Sequence, residues 1–251
     1  MRIVISDYDG TMYVDGKLRG DIVAAVTKWQ EAGNRFGIAT GRDYNLTIHE
    51  TNRWGIPFDF LICINGAALY DHDCSLLQSR HIDNAAVPAI LQHPAAMASI
   101  HCQLSGTSRL RVLLREGSWF PRVGVPFERI DFETALAARN LCQISLAFTD
   151  EAECEEWDLM LREDLGDVIE PHRNRVLLDI TPAGVDKAAG IADLLALKEW
   201  QGRQVFVIGD GGNDLSMIEK YGGFTVPNAA PAIAKAAKRQ FDTVSDLLYS
   251  L

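Results

Sequence analysis

The chain has 251 residues, 47% of them hydrophobic, with 24 lysines and arginines against 34 aspartates and glutamates, a formal net charge of −10. That composition buries a sizeable core in one large α/β domain or two smaller ones. The negative balance argues against nucleic acid and anionic membrane as partners, but a small phosphorylated ligand remains compatible, because focusing inside a cleft depends on nearby charges.

Cys63, Cys74, Cys102, Cys142 and Cys154 form no Cys-x-x-Cys pair, which disfavours a structural zinc site. The odd count and the lack of a secretory leader predict a reducing, cytoplasmic setting. No apolar run approaches the ~20 residues needed to cross a bilayer.

The chain opens with Ile3-Val4-Ile5, which ends at Asp7 and reads as a strand buried on both faces. Asp21 to Gly33 follows, with Ile22, Ala25, Val26 and Trp29 at helical spacing and glycine at its end, so a helix is expected. Gly37-Ile38-Ala39 before Thr40 and Leu61-Ile62-Cys63-Ile64 before Asn65 repeat the buried-strand pattern. Strand, helix, strand in this order predicts a parallel sheet with right-handed crossovers, and polar residues at the carboxyl ends of its strands gather along one edge. Asp7, Thr40, Asn65 and Asp210 are therefore expected to converge.

The middle of the chain differs in texture. It has strand-like runs at Arg109 to Leu114 and Leu141 to Phe148, an acidic helix candidate from Asp150 to Leu165, and no lysine between His81 and Ile180. An inserted α+β domain is expected there. The helical pattern resumes at Lys187 to Leu197, followed by a buried strand to Ile208, a short helix from Asn213 and a further helix from Pro231 to Arg239.

Two acidic motifs carry the chemistry. In Asp7-Tyr8-Asp9-Gly10-Thr11 two carboxylates two residues apart point into one cleft, and their repulsion calls for a cation or a retained proton. A plain strand followed by an Asp-Gly turn is the bland alternative. Gly209-Asp210-Gly211-Gly212-Asn213-Asp214 adds hard oxygen ligands at the same edge, which suit magnesium. An EF-hand loop needs glycine at its sixth position and glutamate at its twelfth, where Leu215 and Tyr221 stand, and the dinucleotide and P-loop fingerprints fail as well. Thr40-Gly41-Arg42 offers a hydroxyl and backbone amides for phosphoryl oxygens, or merely a helix cap. Lys187 is an odd cation for the start of a helix, a place that favours anions; a bound phosphate or carboxylate would explain it, as would simple exposure to water. Arg109, Arg111, Arg173, Arg175, His101 and His172 are candidates to touch an anionic substrate, although arginines alternating along a strand are more often a solvated face.

Asp-x-Asp-Gly-Thr, a threonine after the second strand, a lysine at the return of the core and Gly-Asp-Gly-Gly-Asn-Asp, in that order, resemble the haloacid dehalogenase superfamily of phosphotransferases. The resemblance is closest to its Cof-like branch, which also matches at Asn65-Gly66-Ala67 and Asp214-Leu215-Ser216-Met217 and carries an α+β cap between the second and third motifs. It implies an α/β fold, a doubly wound, Rossmann-like parallel sheet formed by residues 1–80 and 181–251, with residues 81–180 as the cap. It implies that Asp7 is the nucleophile and Asp9 the acid and base. Thr40, Gly41 and Lys187 would bind the phosphoryl group. Mg2+ would be held by Asp7, Asp210 and the backbone carbonyl of Asp9, with Asn213 and Asp214 in support. Tyr8 departs from the aliphatic residue common in this motif and is expected to point away from the carboxylates. The implied activity is hydrolysis of a small phosphate monoester, such as a sugar phosphate. A sugar phosphomutase shares the motif set, and a non-catalytic phosphate sensor would keep the fold, although it has no need of Asp9 as a proton shuttle.

Overall fold

A computed structural model describes residues 1–113, 115 and 125–251. From the N-terminus come β1 (Arg2–Ser6), a small hairpin of β2 (Tyr13–Val14) and β3 (Lys17–Leu18), α1 (Ile22–Glu31), β4 (Arg35–Ala39), α2 (Tyr44–Trp54), β5 (Phe60–Cys63), β6 (Ala68–Asp71) and β7 (Leu76–Ser79). The middle holds α3 (Val87–Gln92), α4 (Pro94–Ala98), β8 (His101–Ser105), β9 (Leu110–Leu113), β10 (Glu128–Arg129), α5 (Phe132–Leu136), β11 (Gln143–Ala147), α6 (Glu151–Leu165), β12 (Ile169–Asn174) and β13 (Leu177–Pro182). The chain closes with α7 (Lys187–Leu197), β14 (Gln204–Gly209), α8 (Leu215–Tyr221), β15 (Phe224–Thr225), α9 (Pro231–Ala236), β16 (Arg239–Gln240) and α10 (Val244–Ser250).

The first and last groups build one sheet in the order β16-β15-β14-β1-β4-β5-β6-β7. Its pairings from β16 to β5 are parallel, and β6 and β7 are added antiparallel. Neighbouring residues of a strand face opposite sides, and both sides are apolar here. Val4, Ile38, Leu61 and Ile208 pack with α1 and α10, while Ile3, Ile5, Ile62 and Val207 pack with α7 and α8. This is the doubly wound arrangement expected, and it explains why the strands are apolar without alternation. On α1 the buried residues Ile22, Ala25, Val26 and Trp29 form one helical stripe; burying each large side chain contributes about 1.5–3 kcal/mol.

The middle group forms a second sheet, β10-β9-β8-β11-β13-β12, antiparallel from β9 to β12. Here the strands do alternate. Cys102, Leu104, Ile144, Leu146, Leu178 and Ile180 point into an apolar cluster shared with α3, α5 and α6, so the interleaved polar residues occupy the opposite face. That face is turned toward the first sheet rather than toward water, since Gln103, Ser105, Gln143 and Ser145 are all buried.

Ile64, expected to end a buried strand, instead opens a 3-10 turn over Ile64–Gly66 with φ 57°, and two further segments differ from expectation. The helix expected from Pro231 to Arg239 stops at Ala236, because Ala237 is extended and the Lys238 amide turns to Gly223 O at 2.9 Å, which puts Arg239 into the edge strand β16. The strand expected to Leu114 runs over Leu110–Leu113, and Leu114 lies outside the described residues. Four cysteines are buried, Cys74 is half-buried, and all five are free thiols. Among the described residues no helix is long and apolar enough to cross a membrane.

Candidate active site

The buried strand β1 delivers Asp7 to the carboxyl edge of the first sheet, where its amide continues the ladder by donating to Ile208 O at 2.9 Å. Next door, β14 ends at Gly209 and a tight 3-10 turn over Gly212–Asp214 brings two more carboxylates in. One oxygen each from Asp7, Asp210 and Asp214 lies within 4.8 Å of the others. The local geometry demands glycine at one point: Gly10 has φ +87°, and a Cβ there would sit 2.1 Å from Asp210 Oδ2. Thr11 Oγ1 donates to Asp210 Oδ1 at 2.6 Å, which fixes that carboxylate from the other side.

Lys187 is fully buried. Its ammonium donates to Asp7 Oδ1 and to Asp214 Oδ1, each at 2.6 Å. The unusual cation at the start of α7 is thus explained by carboxylates. Asp214 is spent on structure as well, since its Oδ2 accepts from the amides of Asp210 at 3.0 Å and Gly211 at 2.9 Å. Close backbone packing seats the lysine: the turn at Gly66 has φ +103°, and a Cβ on Gly190 of α7 would lie 2.6 Å from Gly66 Cα.

Three carboxylates and one ammonium leave the buried cluster negative, and the titration directions follow. Burial, then the charge of Asp214, raises the Asp7 carboxyl well above its ordinary value against the pull of Lys187. Burial likewise pushes Asp210 up to about 6, with Thr11 opposing. For Lys187 burial acts downward, but Asp214 and Asp7 together outweigh it and hold the ammonium charged. A compact set of buried anionic oxygens from Asp7, Asp210 and Asp214, with uncompensated charge, could hold a hard divalent cation.

Asp9 stands at the rim, where Arg42 grips both its oxygens: Nε to Oδ2 at 2.6 Å and a terminal nitrogen to Oδ1 at 2.7 Å. The guanidinium lies 5.0 Å over the Tyr8 ring. Tyr8 does point away from the carboxylates, but it is not idle, since its hydroxyl donates to Glu50 Oε2 at 2.9 Å. Burial and Glu50 both raise its phenol above the ordinary value. Tyr8 is therefore a shelf for the arginine that holds Asp9.

Thr40 and Gly41 line the same cavity. Thr40 does not cap α2; that role falls to Asp43, whose Oδ1 accepts from the amides of Asn45 and Leu46. Thr40 Oγ1 accepts from the Arg42 amide at 3.2 Å. Asn213 turns its Nδ2 to Asn65 Oδ1 at 2.9 Å. Asn65, held at φ 48°, in turn donates to Gln143 Oε1 at 3.3 Å and Asp179 Oδ2 at 3.2 Å in the second sheet.

A cleft of about 330 Å3 lies between the two sheets, floored by Asp7, Asp9 and Thr40 and roofed by Gln103, Gln143 and Asp179. His101 joins this wall, and burial pulls its imidazole down to about 4. His172 does not; it is tied to Thr181 Oγ1 and Val185 O where the chain returns to the first sheet. Arg111 pairs with Glu128 and Arg173 with Glu155, as solvated charges do. The residues not anticipated are Arg42, Gln103, Gln143, Ser145 and Asp179, and the signal for the last four was the polar alternation in Gln103-Leu104-Ser105, Gln143-Ile144-Ser145 and Leu178-Asp179-Ile180.

A doubly wound sheet with an acidic, lysine-bearing edge under a second sheet defines a class of hydrolytic α/β enzymes with an inserted cap. Residues 4–246 match the profile of the haloacid dehalogenase-like hydrolases. Among curated proteins the chain is 24% identical to the 5-amino-6-(5-phospho-D-ribitylamino)uracil phosphatase YbjI of Escherichia coli K12, over 95% of this chain and 89% of the relative. It is 23% identical to the pyridoxal phosphate phosphatase YbhA of the same organism, over 99% and 98%. Among solved structures, the HAD subclass IIB sugar phosphatase BT4131 superposes with a TM-score of 0.84 at 19% identity, covering 100% of this chain and 98% of that one. A haloacid dehalogenase-like hydrolase from B. subtilis superposes with a TM-score of 0.87 at 17% identity, covering 100% of both. The chain belongs to the haloacid dehalogenase-like hydrolase family. It is an enzyme of that family, and its curated relatives are phosphatases.

Proposed function

We propose that the protein is a magnesium-dependent phosphatase that hydrolyses a small phosphate monoester, a sugar phosphate or similar metabolite, through an aspartyl-phosphate on Asp7. In this reading residues 1–80 and 181–251 are the catalytic core and residues 81–180 the cap that selects the leaving group. The observation that carries it is Asp7 at the floor of the cavity between the two sheets, with one oxygen held by Lys187 at 2.6 Å and with Asp210 beside it in a carboxylate cluster suited to a divalent ion. The named activities of the curated relatives, both on small phosphorylated compounds, support the substrate class.

Asp7 attacks phosphorus with a carboxylate oxygen; the new O–P bond forms as the ester P–O bond breaks, and Asp9 gives the leaving oxygen its proton. Water then attacks the acyl phosphate, Asp9 takes the water's proton, and the bond from phosphorus to Asp7 breaks to release inorganic phosphate. In the present state both Asp9 oxygens are engaged by Arg42, so proton transfer requires one of those contacts to yield to the ester oxygen. The Thr40 hydroxyl, the Gly41 amide and the Lys187 ammonium stabilise charge on the transferring group. Asp7, Asp210 and the Asp9 carbonyl would hold Mg2+, supported by Asn213 and Asp214. When bound, the ion would offset the mutual repulsion of carboxylate and phosphate.

The test is phosphate release from a panel of small phosphate monoesters, with magnesium and with chelator. Release that needs magnesium and is lost in Asp7→Asn is the expected outcome. Release that persists in Asp7→Asn, or that chelation leaves unchanged, would rule the mechanism out.

A further inference from the structure

We propose that Asp179 is a specificity-determining residue whose carboxylate makes the cavity reject leaving groups that carry a second negative charge, in favour of neutral or amine-bearing hydroxylated ones. This rests on the phosphatase reading above, and deepens it by naming what the cap discriminates.

The strand pattern puts Asp179 on the polar face of the second sheet, opposite Ser145 in register. It lines the cavity and accepts from Asn65 Nδ2 at 3.2 Å. A carboxylate has about four acceptor sites. With donors from Asn65 and Ser145 in place, acceptor capacity remains for hydroxyl or ammonium protons of a ligand. The rest of this roof is neutral: Gln103, Gln143 and Ser145 are amides and a hydroxyl, well suited to a polyol.

Equally informative is where the cations are. Among the described residues that line the cavity, Arg42 is the one guanidinium or ammonium group, and both its contacts go to Asp9. Lys187 is fully buried beneath Asp7 and Asp214. Arg175, at the exposed tip of the β12–β13 hairpin, acts electrostatically on Asp210 and is not part of the lining. Among the described lining residues, a carboxylate or second phosphate on the leaving group would thus meet Asp179 with no uncommitted opposing charge. Across about 6 Å at intermediate dielectric, that repulsion corresponds to a factor of about ten to a hundred in binding. Burial pushes the Asp179 carboxyl up to about 6 against the hydrogen bonds from Ser145 and Asn65, so the comparison below is made at pH 8, where the carboxylate form is favoured.

The test compares sorbitol 6-phosphate with 6-phosphogluconate, linear six-carbon esters that differ at one end by a neutral alcohol against a carboxylate. Dissociation constants are measured with magnesium on Asp7→Asn, where no turnover interferes, and phosphate release is measured on the wild type. The expected result is about ten- to a hundred-fold tighter binding of sorbitol 6-phosphate. Adding Asp179→Asn brings the ratio within about threefold, and Asp179→Ser, which removes the charge without the amide, does the same. A merely structural role would not move a ratio set by ligand charge. Equal binding of the two esters, or a ratio unchanged in both Asp179 variants, overturns the proposal. If the binding ratio behaves as expected while the wild type releases phosphate from no ester, the hydrolase reading falls and the charge selection stands.

Discussion

Replacing Lys187 with methionine keeps most of the side-chain volume and removes the charge. With lysine, the cluster of Asp7, Asp210 and Asp214 sums to −2 when ionised (three carboxylates, one ammonium); without it the sum is −3. Each 2.6 Å contact of the ammonium has a Coulomb energy of about 6 kcal/mol at an effective dielectric near 20. Desolvation of a fully buried ammonium offsets much of this, and breaking such a pair from one side typically costs about 3–5 kcal/mol. Urea unfolding of the metal-free protein at pH 7.5 should show a loss of that size. The pH dependence has a definite sign. Asp210 titrates at about 6 in the fold against ~3.9 for an unperturbed aspartate, so the folded state binds the extra proton. Its ionisation therefore destabilises the protein as pH rises through about 6. Removing Lys187 raises these carboxyl groups further, so the gap between variant and wild type should narrow at pH 5.5. A variant within about 1 kcal/mol of the wild type at pH 7.5, or a gap indifferent to pH, would refute the reasoning.

Gly190→Ala pushes a methyl group to 2.6 Å from Gly66 Cα and 2.9 Å from an Ile62 methyl. It should cost about 1–3 kcal/mol by overpacking and lower kcat by displacing the start of α7, which thermal unfolding and steady-state kinetics would check. Tyr8→Phe removes the hydroxyl that donates to Glu50, while Glu50 keeps the Trp54 indole at 3.2 Å. The expected loss is about 1 kcal/mol in urea with kcat within about threefold of the wild type, because the ring under Arg42 remains. A large fall in kcat would mean that the hydroxyl, not the ring, positions the arginine.

The convergence of polar residues at one sheet edge was legible because each contributing strand is buried on both faces and stops at a polar residue, a pattern that survives in one dimension. Lys187 stood out for a local reason, as a cation where a helix favours anions. Arg42 was passed over because Thr40-Gly41-Arg42 says nothing about where a long side chain turns, and its partner Asp9 is 33 residues away. The roof was illegible for another reason. Alternation in β8, β11 and β13 marks one buried and one polar face, and a polar face ordinarily means water. Only the placement of the second sheet over the first converts Gln103, Gln143 and Asp179 from solvated residues into cavity wall. The two-residue strands β15 and β16 carry too little pattern to register at all.

The Asn65 amide has a polarity that Asp179 fixes, because an ionised carboxylate can only accept. Its oxygen receives from Asn213, on the loop beside Asp210 and Asp214, and its nitrogen gives to Gln143 and Asp179 on the cap. Rotated by half a turn, the same amide would set its oxygen against the carboxylate of Asp179, acceptor against acceptor. An aspartate there would span the same distance but offer oxygens in both directions, and so would keep the loop and repel the cap. Asparagine is thus the side chain of this length that can bind the two halves of the site at once, and it does so in a single orientation.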